Sequence, residues 1–305
     1  MGSKLRVLVT GSGGLIGRYL ASSFTQNGWD VIALYRNNYP VIPDGLRGTI
    51  EYLQADLADG LLDLPPVDVI VHAAAHTRVI ADSTTQDFIR TNVIGTSNLV
   101  EYAKVNPPTI FVYLSTVSMY GDVSVGELDE STPLTNPEMY GVTKYLGERV
   151  ISDHAEQFPS VSIRLPGVVG PGYFVPWIGN SLVKAIRDED ITVYNPESFF
   201  NNVVDLEDLG RFIYSAIYSG LEGFEAVNLA ADEPLTIREV AGMLVSLSGS
   251  KSKIIEQAND RRSFIISNCK VKSVFGFNPA TTESIIHRYV TGSLVELKRG
   301  VKVGK

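Results

Sequence analysis

Between an apolar run, Leu5–Val9, and a helix-like segment, Leu15–Asn27, the chain reads Thr10-Gly11-Ser12-Gly13-Gly14-Leu15-Ile16-Gly17, with Gly11, Gly14 and Gly17 in a Gly-x-x-Gly-x-x-Gly spacing. A strand that turns this sharply into a helix is the opening unit of a parallel α/β sheet and suits few other architectures. The glycines give a tight turn, let backbone approach a pyrophosphate, and leave a helix N-terminus aimed at that anion. Gly13 lies off the spacing and adds flexibility. Gly11, Ser12, Gly14, Leu15, Ile16 and Gly17 are therefore the expected phosphate-side contacts of a dinucleotide.

The rest of the first half keeps the same rhythm. Apolar runs at Val31–Leu34, Ile50–Leu53, Val69–Val71, Ile110–Leu114 and Val161–Leu165 alternate with helix-like segments at Ser83–Val105 and Glu138–Phe158. Strands apolar on both faces, separated by helices, predict a parallel sheet covered on both sides. Right-handed crossovers make it a doubly wound sheet of the Rossmann kind. After Pro166 the pattern breaks into Gly, Pro and aromatic residues, with helix-like runs at Gly179–Arg187, Leu206–Tyr218, Ile237–Leu247 and Thr282–Leu297. Short strands are expected at Val203-Val204 and Ala226–Leu229. This predicts a dinucleotide-binding domain over 1–166, to whose sheet 203–230 returns. A smaller C-terminal substrate-binding part spans 167–202 and 231–305.

The second strand bears on which dinucleotide is bound. An NAD site commonly ends this strand in Asp or Glu, which holds the ribose 2′-hydroxyl. Here Val31-Ile32-Ala33-Leu34 is followed by Tyr35-Arg36. A carboxylate would repel a 2′-phosphate, whereas arginine pairs with it, so NADP(H) is favoured and NAD is the alternative. Arg18, just past the last loop glycine, is a candidate to join Arg36. Asp56, followed by Leu57 after the third strand, can accept from an adenine amino group or cap a helix.

Tyr140 and Lys144 stand one turn apart at the start of a helix, on the same face. An ammonium beside a phenol stabilises its anion, so Tyr140 can give or take a proton near neutral pH. With 14 tyrosines in the chain, the Tyr-x-x-x-Lys spacing alone is weak. Ser115-Thr116 strengthens it, since these hydroxyls end the run Ile110–Leu114. The carboxyl edge of an open sheet is where ligands bind. Thr116 there offers a hydroxyl to a substrate oxygen beside Tyr140.

Together with His72-Ala73-Ala74, Thr91-Asn92-Val93-Ile94-Gly95-Thr96, Ser115-Thr116-x-x-Met119-Tyr120-Gly121, Tyr140-Gly141-x-x-Lys144 and Arg164-Leu165-Pro166…Gly170-Pro171-Gly172, these motifs occur in an order that resembles the extended short-chain dehydrogenases. That family includes nucleotide-sugar epimerases, dehydratases and 4-keto reductases. Val204…Glu207-Asp208-Leu209, Asn228-Leu229-Ala230 and Phe275-Gly276-Phe277-Asn278-Pro279 carry the resemblance almost to the C-terminus. It implies that Tyr140 is the acid/base, that Lys144 also holds the nicotinamide ribose, and that Thr116 polarises the reacting oxygen. It further implies that His72, Ala73 and Ala74 line the dinucleotide, that Asn92 supports the site, and that Pro166 adjoins the cofactor.

The chain departs from many nucleotide-sugar members in having Gly167 where they carry Asn, and Asn201 where they carry Arg. The segment Gly172–Asn180 is expected to line the pocket instead. The expected substrate contacts are His76, Ser118, Gly167, Trp177, Asn180 and Asn201. The function so implied is NADP(H)-dependent reduction of a keto group on a sugar, foremost a 4-keto-6-deoxy nucleotide-sugar. One alternative is an epimerase that keeps NAD tightly bound, and another a non-catalytic dinucleotide sensor. A dehydratase fits less well, because Val117-Ser118 and not an acidic pair follows Thr116.

Composition narrows the partners. A net charge of −8 argues against a nucleic-acid partner. No apolar stretch approaches the roughly 18–20 residues of a membrane span. A single cysteine, Cys269, forbids an internal disulfide and suits a reducing, cytoplasmic home. The four histidines do not cluster in sequence, so no metal site is expected. Met1-Gly2-Ser3 has no role in the fold argument. Extra apolar residues on the helical runs 83–105 and 138–158, including Phe88, Val93, Leu99, Leu146, Val150 and Ile151, predict a homodimer packed through a four-helix interface.

Overall fold

The apolar runs of the first half become strands β1 (Arg6–Thr10), β2 (Asp30–Tyr35), β3 (Ile50–Gln54), β4 (Val69–His72) and β5 (Ile110–Thr116). The computed structural model describes residues 4–42, 47–60, 64–77, 83–174, 177–260 and 263–300. Val175 and Pro176 of the expected pocket segment lie outside these residues, as do Met1, Gly2 and Ser3. Strands β1 to β5, with strands Ser160–Leu165 and Phe224–Asn228, form one seven-stranded sheet. Its order is Phe224–Asn228, Ser160–Leu165, β5, β4, β1, β2, β3. The pairings of β1 with β2 and β4, of β2 with β3, and of β4 with β5 are all parallel. The reversal of strand order beside β1 is where a doubly wound α/β sheet opens a ligand crevice.

Every residue of β4 and β5 is buried, the mark of a sheet covered on both faces. On one face Leu8, Ile32, Ile70 and Phe111 meet Leu99, Val100 and Ala103 of helix α3 (Gly95–Val105) and Ile151 of helix α4 (Met139–Ser152). Helix α1 (Leu15–Gln26) buries Leu20, Ala21 and Phe24, and the Phe24 ring stacks on Trp29 with centroids 5.0 Å apart. Each such fully buried side chain contributes about 1.5–3 kcal/mol from burial.

The chain divides into two compact units. The first comprises 1–122, 133–164 and 213–227, and the second 123–132, 165–212 and 228–305. The second is built from helices Trp177–Ile186, Ile237–Ser248 and Thr282–Lys298, whose Leu182, Val240, Leu244, Ile285 and Tyr289 form a core with Val169. Short two-stranded ladders join it, among them Ile191–Tyr194 with Ile254–Gln257.

Four expectations differ from the structure. Val203–Asp205 does not return to the main sheet but pairs with Gly167–Val169, so only Phe224–Asn228 does so. The predicted helix 138–158 stops at Ser152, after which turns replace it, with His154 N–H donating to Ile151 and Ala155 N–H to Ser152. The run 83–105 is not one regular helix. It comprises α2 (Thr85–Phe88), a wide π turn over Ile89–Ile94, and α3. A helix at Cys269–Phe275 was not expected. Among the described residues no helix is long and apolar enough to cross a membrane.

Candidate active site

The glycine loop has the geometry its spacing predicts. Gly11 adopts φ +68°, and Gly14 N–H donates back to its carbonyl at 2.9 Å. A Cβ on Gly11 would lie 2.6 Å from the backbone nitrogen of Ala74, and one on Gly17 would strike the Gly11 carbonyl. Gly13 is also required by packing, since a Cβ there would collide with the carbonyl of Asn38. Helix α1 starts at Leu15 with no side-chain cap and no acid in its first turn. The N–H groups of that turn, which includes Ile16, are thus left for an external acceptor. Ser12 is fully buried and its hydroxyl has no hydrogen-bond partner among the described residues. A backbone cradle without Cβ atoms and an uncapped helix N-terminus fit the pyrophosphate of a dinucleotide.

Beyond β2, the Arg36 guanidinium is part-exposed and donates to the Thr91 hydroxyl at 3.3 Å, with the Asp56 carboxylate 3.8 Å away. Arg90 reaches the same carboxylate at 3.6 Å. Asp56 caps the turn that follows it, accepting from Ala58 N–H at 3.0 Å, and Leu57 in that turn is buried. Its capping role is therefore realised, with its second oxygen turned to two arginines. Arg18 is exposed on α1.

Inside the sheet a single file of hydrogen bonds joins the loop strand to the helix carrying Tyr140. The His72 ring contacts Thr10 Oγ1 through Nδ1 at 2.7 Å and Thr96 Oγ1 through Nε2 at 2.9 Å. Thr96 donates to the Asn92 carbonyl at 2.8 Å, so it accepts from His72, which carries its proton on Nε2. Thr10 then donates to Nδ1 while accepting from Ala74 N–H at 3.2 Å. Asn92 continues the path, its amide donating to the His76 carbonyl and to Thr143 Oγ1, both at 3.0 Å, and accepting from His76 N–H at 2.7 Å. Complete burial, with the positive charge of Lys144 adding to it, holds His72 well below the usual imidazole range, so it is a neutral framework residue. Asn92 sits in the π turn, which diverts its carbonyl to Thr96 and its side chain to β4's loop and α4. Such turns recur at functional sites.

Thr116 ends β5, is buried, and accepts from Ser118 N–H at 3.1 Å, leaving its own proton to donate elsewhere. Gly141 lets α4 start against this turn, because a Cβ there would strike the Ser118 carbonyl. Tyr140 is part-buried on the first turn of α4, with its ring 6.4 Å from that of Phe88. Lys144 is 1% exposed, and its ammonium lies 3.9 Å above the Tyr113 ring. Burial pulls the Lys144 amine down to about 7, against the opposing pull of Glu148. The same unit of structure thus brings together Thr116, Tyr140, Lys144, Asn92 and His72.

The expected substrate contacts are less uniform. His76 is buried, bonded through Nε2 to Ser83 at 2.7 Å and packed on Phe88. Ser118 is part-buried in the turn after Thr116. In the second unit, Gly167 opens a short strand and Pro166, just before it, is part-buried. Trp177 packs its ring 5.5 Å from Phe200, and Asn180 is exposed. The Asn201 side chain is used internally, donating to the carbonyls of Ala231 and Ile266 and accepting from Ile266 N–H at 2.8 Å. Three residues that sequence reasoning passed over belong to the first unit's site: Thr96, Thr143 and Glu148. The signal for Glu148 was its place one turn beyond Lys144 on the same helix face.

Comparison with known proteins agrees with this geometry. The model of the NAD dependent epimerase/dehydratase family matches residues 7–230. A dTDP-glucose 4,6-dehydratase of Streptomyces griseus is 26% identical over 295 residues, covering 90% of this chain and 89% of that protein. The Bordetella bronchiseptica enzyme WbmG, solved in complex with NAD, superposes with a TM-score of 0.83 at 19% identity, covering 99% and 97% of the two chains. UDP-glucose 4-epimerase of Thermotoga maritima, solved with UDP-glucose, gives 0.81 at 21%, covering 96% and 100%. These likenesses establish the Rossmann-like fold.

Lys144 supplies a pH prediction. In the dinucleotide-free protein its ammonium is expected to titrate near 7, followed by NMR of ¹³C-labelled lysine, with the resonance absent in Lys144→Met. Between that value and the ordinary 10.5 the unfolded chain holds a proton that the folded chain has lost. This group's contribution to stability therefore rises with pH across that window. Titration of Lys144 near 10.5 would refute its burial beside Tyr113.

Proposed function

The chain belongs to the NAD dependent epimerase/dehydratase family, and from that premise we propose that it is an oxidoreductase that uses NADP(H) to reduce a keto group on a sugar, foremost a 4-keto-6-deoxy nucleotide-sugar. The observation that carries the cofactor choice is the end of β2. There Arg36 stands in place of a carboxylate, and Asp56 is already engaged as a cap facing Arg36 and Arg90. Two guanidinium groups at this edge suit a 2′-phosphate.

When bound, the dinucleotide supplies or accepts a hydride. Gly11, Gly14 and Gly17 admit its pyrophosphate to the backbone, and the first turn of α1 faces that charge. Thr116 keeps its proton and donates a hydrogen bond to the carbonyl oxygen of the sugar, stabilising the charge that develops there. Tyr140 delivers the proton to the same oxygen. The Lys144 ammonium, on the same face of α4, stabilises the tyrosinate that is left. The Thr10–His72–Thr96–Asn92–Thr143 file keeps loop strand and helix in register while this happens.

A second reading is an epimerase that retains NAD. Its support is the partial engagement of Arg36 by Asp56 and Thr91, together with solved relatives that hold NAD. Dehydration is disfavoured, since the turn Val117–Tyr120 carries no carboxylate to assist loss of water.

Three outcomes test the proposal. Purified protein is expected to consume added NADPH stoichiometrically with a keto-sugar. Tyr140→Phe should still bind the cofactor but turn over at least about a hundredfold more slowly. Turnover without net loss of nicotinamide absorbance, from a cofactor that co-purifies, would replace the reductase with the epimerase. In isothermal titration, Arg36→Ala should weaken NADPH and barely alter NADH, and equal losses would remove the NADP(H) preference. A homodimer is expected to pair the run 85–105 with α4, where Ile94 of the π turn and Leu146 of α4 are exposed while Phe88, Leu99 and Ile151 serve the protomer's own core. A monomer by light scattering at micromolar concentration would reject it.

A further inference from the structure

Behind α4 lies a buried ion pair that the proposed reaction does not use. Arg164, on the strand Ser160–Leu165, donates through Nη2 to Glu148 Oε1 at 2.5 Å and through Nε to Glu148 Oε2 at 3.2 Å. Ser162 Oγ donates to the same carboxylate at 2.7 Å. The remaining arm of the guanidinium, Nη1, donates to Tyr120 Oη at 2.7 Å, and the group also lies 5.5 Å from the Tyr120 ring centroid. Glu148 is 2% exposed, Arg164 8%, and Tyr120 and Ser162 fully buried.

The two ends of this clasp are placed alike. Glu148 is one turn beyond Lys144 on α4, and Tyr120 closes the turn that begins after Thr116. A buried ion pair is a poor device for stability, because apolar residues of the same volume commonly do as well. A planar, bidentate guanidinium does fix the mutual position of the groups it joins.

We propose that Arg164 is a positioning residue that clasps the helix carrying Tyr140 and Lys144, through Glu148, to the turn carrying Thr116, through Tyr120, and that Glu148 is the counter-charge of the buried Lys144 ammonium. This rests on the reading of Thr116, Tyr140 and Lys144 as the acid/base set. The groups facing Lys144 support the second half. They are His72 from β4 and Tyr113 from β5, with Tyr140 and Glu148 from its own helix. His72 is held neutral and burial pushes the Tyr113 phenol well above its ordinary range, and Glu148 is the carboxyl group among them. Burial opposes the charge of Arg164, but its bonds to Glu148 outweigh this and raise it above the ordinary guanidinium value, so the guanidinium stays charged.

The test is the charge-neutral double variant Glu148→Gln/Arg164→Met, compared with the wild type and Tyr120→Phe. The double variant is expected to fold and to bind NADPH normally. Its Lys144 should titrate below the wild-type value by NMR, and kcat should fall at least about tenfold with KM little changed, as misplacement of reacting groups does. Tyr120→Phe should leave the Lys144 titration alone and lower kcat only. Unchanged titration and kcat in the folded double variant would overturn the proposal. Should the double variant not fold, wild-type kcat in Tyr120→Phe would overturn the clasp. The Lys144 titration reads out without any turnover, so failure to find a keto-sugar substrate would sink the proposed reaction and leave this inference to be decided by NMR.

Discussion

The arrangement of the first unit depends on one buried file of hydrogen bonds, from Thr10 through His72, Thr96 and Asn92 to Thr143. Each member both gives and receives, and each lies on a different element: β1, β4, α3, the π turn and α4. Burying these polar groups is tolerable only because every one is paired. The consequence is that the glycine loop and the helix bearing Tyr140 are not independently placed. Their distance is set by these paired side chains, which is why a π turn, awkward for a helix, is retained at Asn92.

Around this framework the charges are sorted. His72 and Tyr113, two buried ionisable groups beside Lys144, are held in their neutral forms by burial. Lys144 is left close to its point of ionisation. A group so balanced responds strongly to small changes in nearby charge. Neutral framework groups carry the geometry, while the group poised between charged and neutral forms is Lys144.

Much of this was legible in the chain because local and global preferences agree. The strands β1 to β5 fall within two residues of the apolar runs that predicted them, since a strand buried on both faces has no other way to read. Thr116, Tyr140 and Lys144 share one unit of structure, as strand end and helix face required. The π turn was not legible. Thr91-Asn92-Val93-Ile94 reads as ordinary helix, and only the distant partners His76 and Thr143 make the bulge worthwhile. Asn201 is expected among the substrate contacts, whereas its amide ties the backbone at Ala231 to that at Ile266. Val203-Val204 reads as a strand of the main sheet because a two-residue apolar run cannot announce its partner. Arg164 in a wholly buried strand is, beside the place of Glu148 one turn beyond Lys144, a visible hint of their pairing. A lone charge among Val, Ser and Ile needs an acid nearby.

The strand order carries a further meaning for how the molecule comes into being. Phe224–Asn228 is the outermost strand on one side of the main sheet, yet the chain leaves that unit at residue 165 and re-enters it only at 213. A ribosome must therefore have made most of residues 165–212, which belong to the second unit, before the first can close its sheet. Parallel pairings between strands far apart in sequence are slow to form, and an unclosed sheet edge is exposed while they wait. During synthesis the edge of Ser160–Leu165 therefore stays unpaired until residues 224–228 have been made, so it is exposed in the nascent chain and covered in the finished sheet.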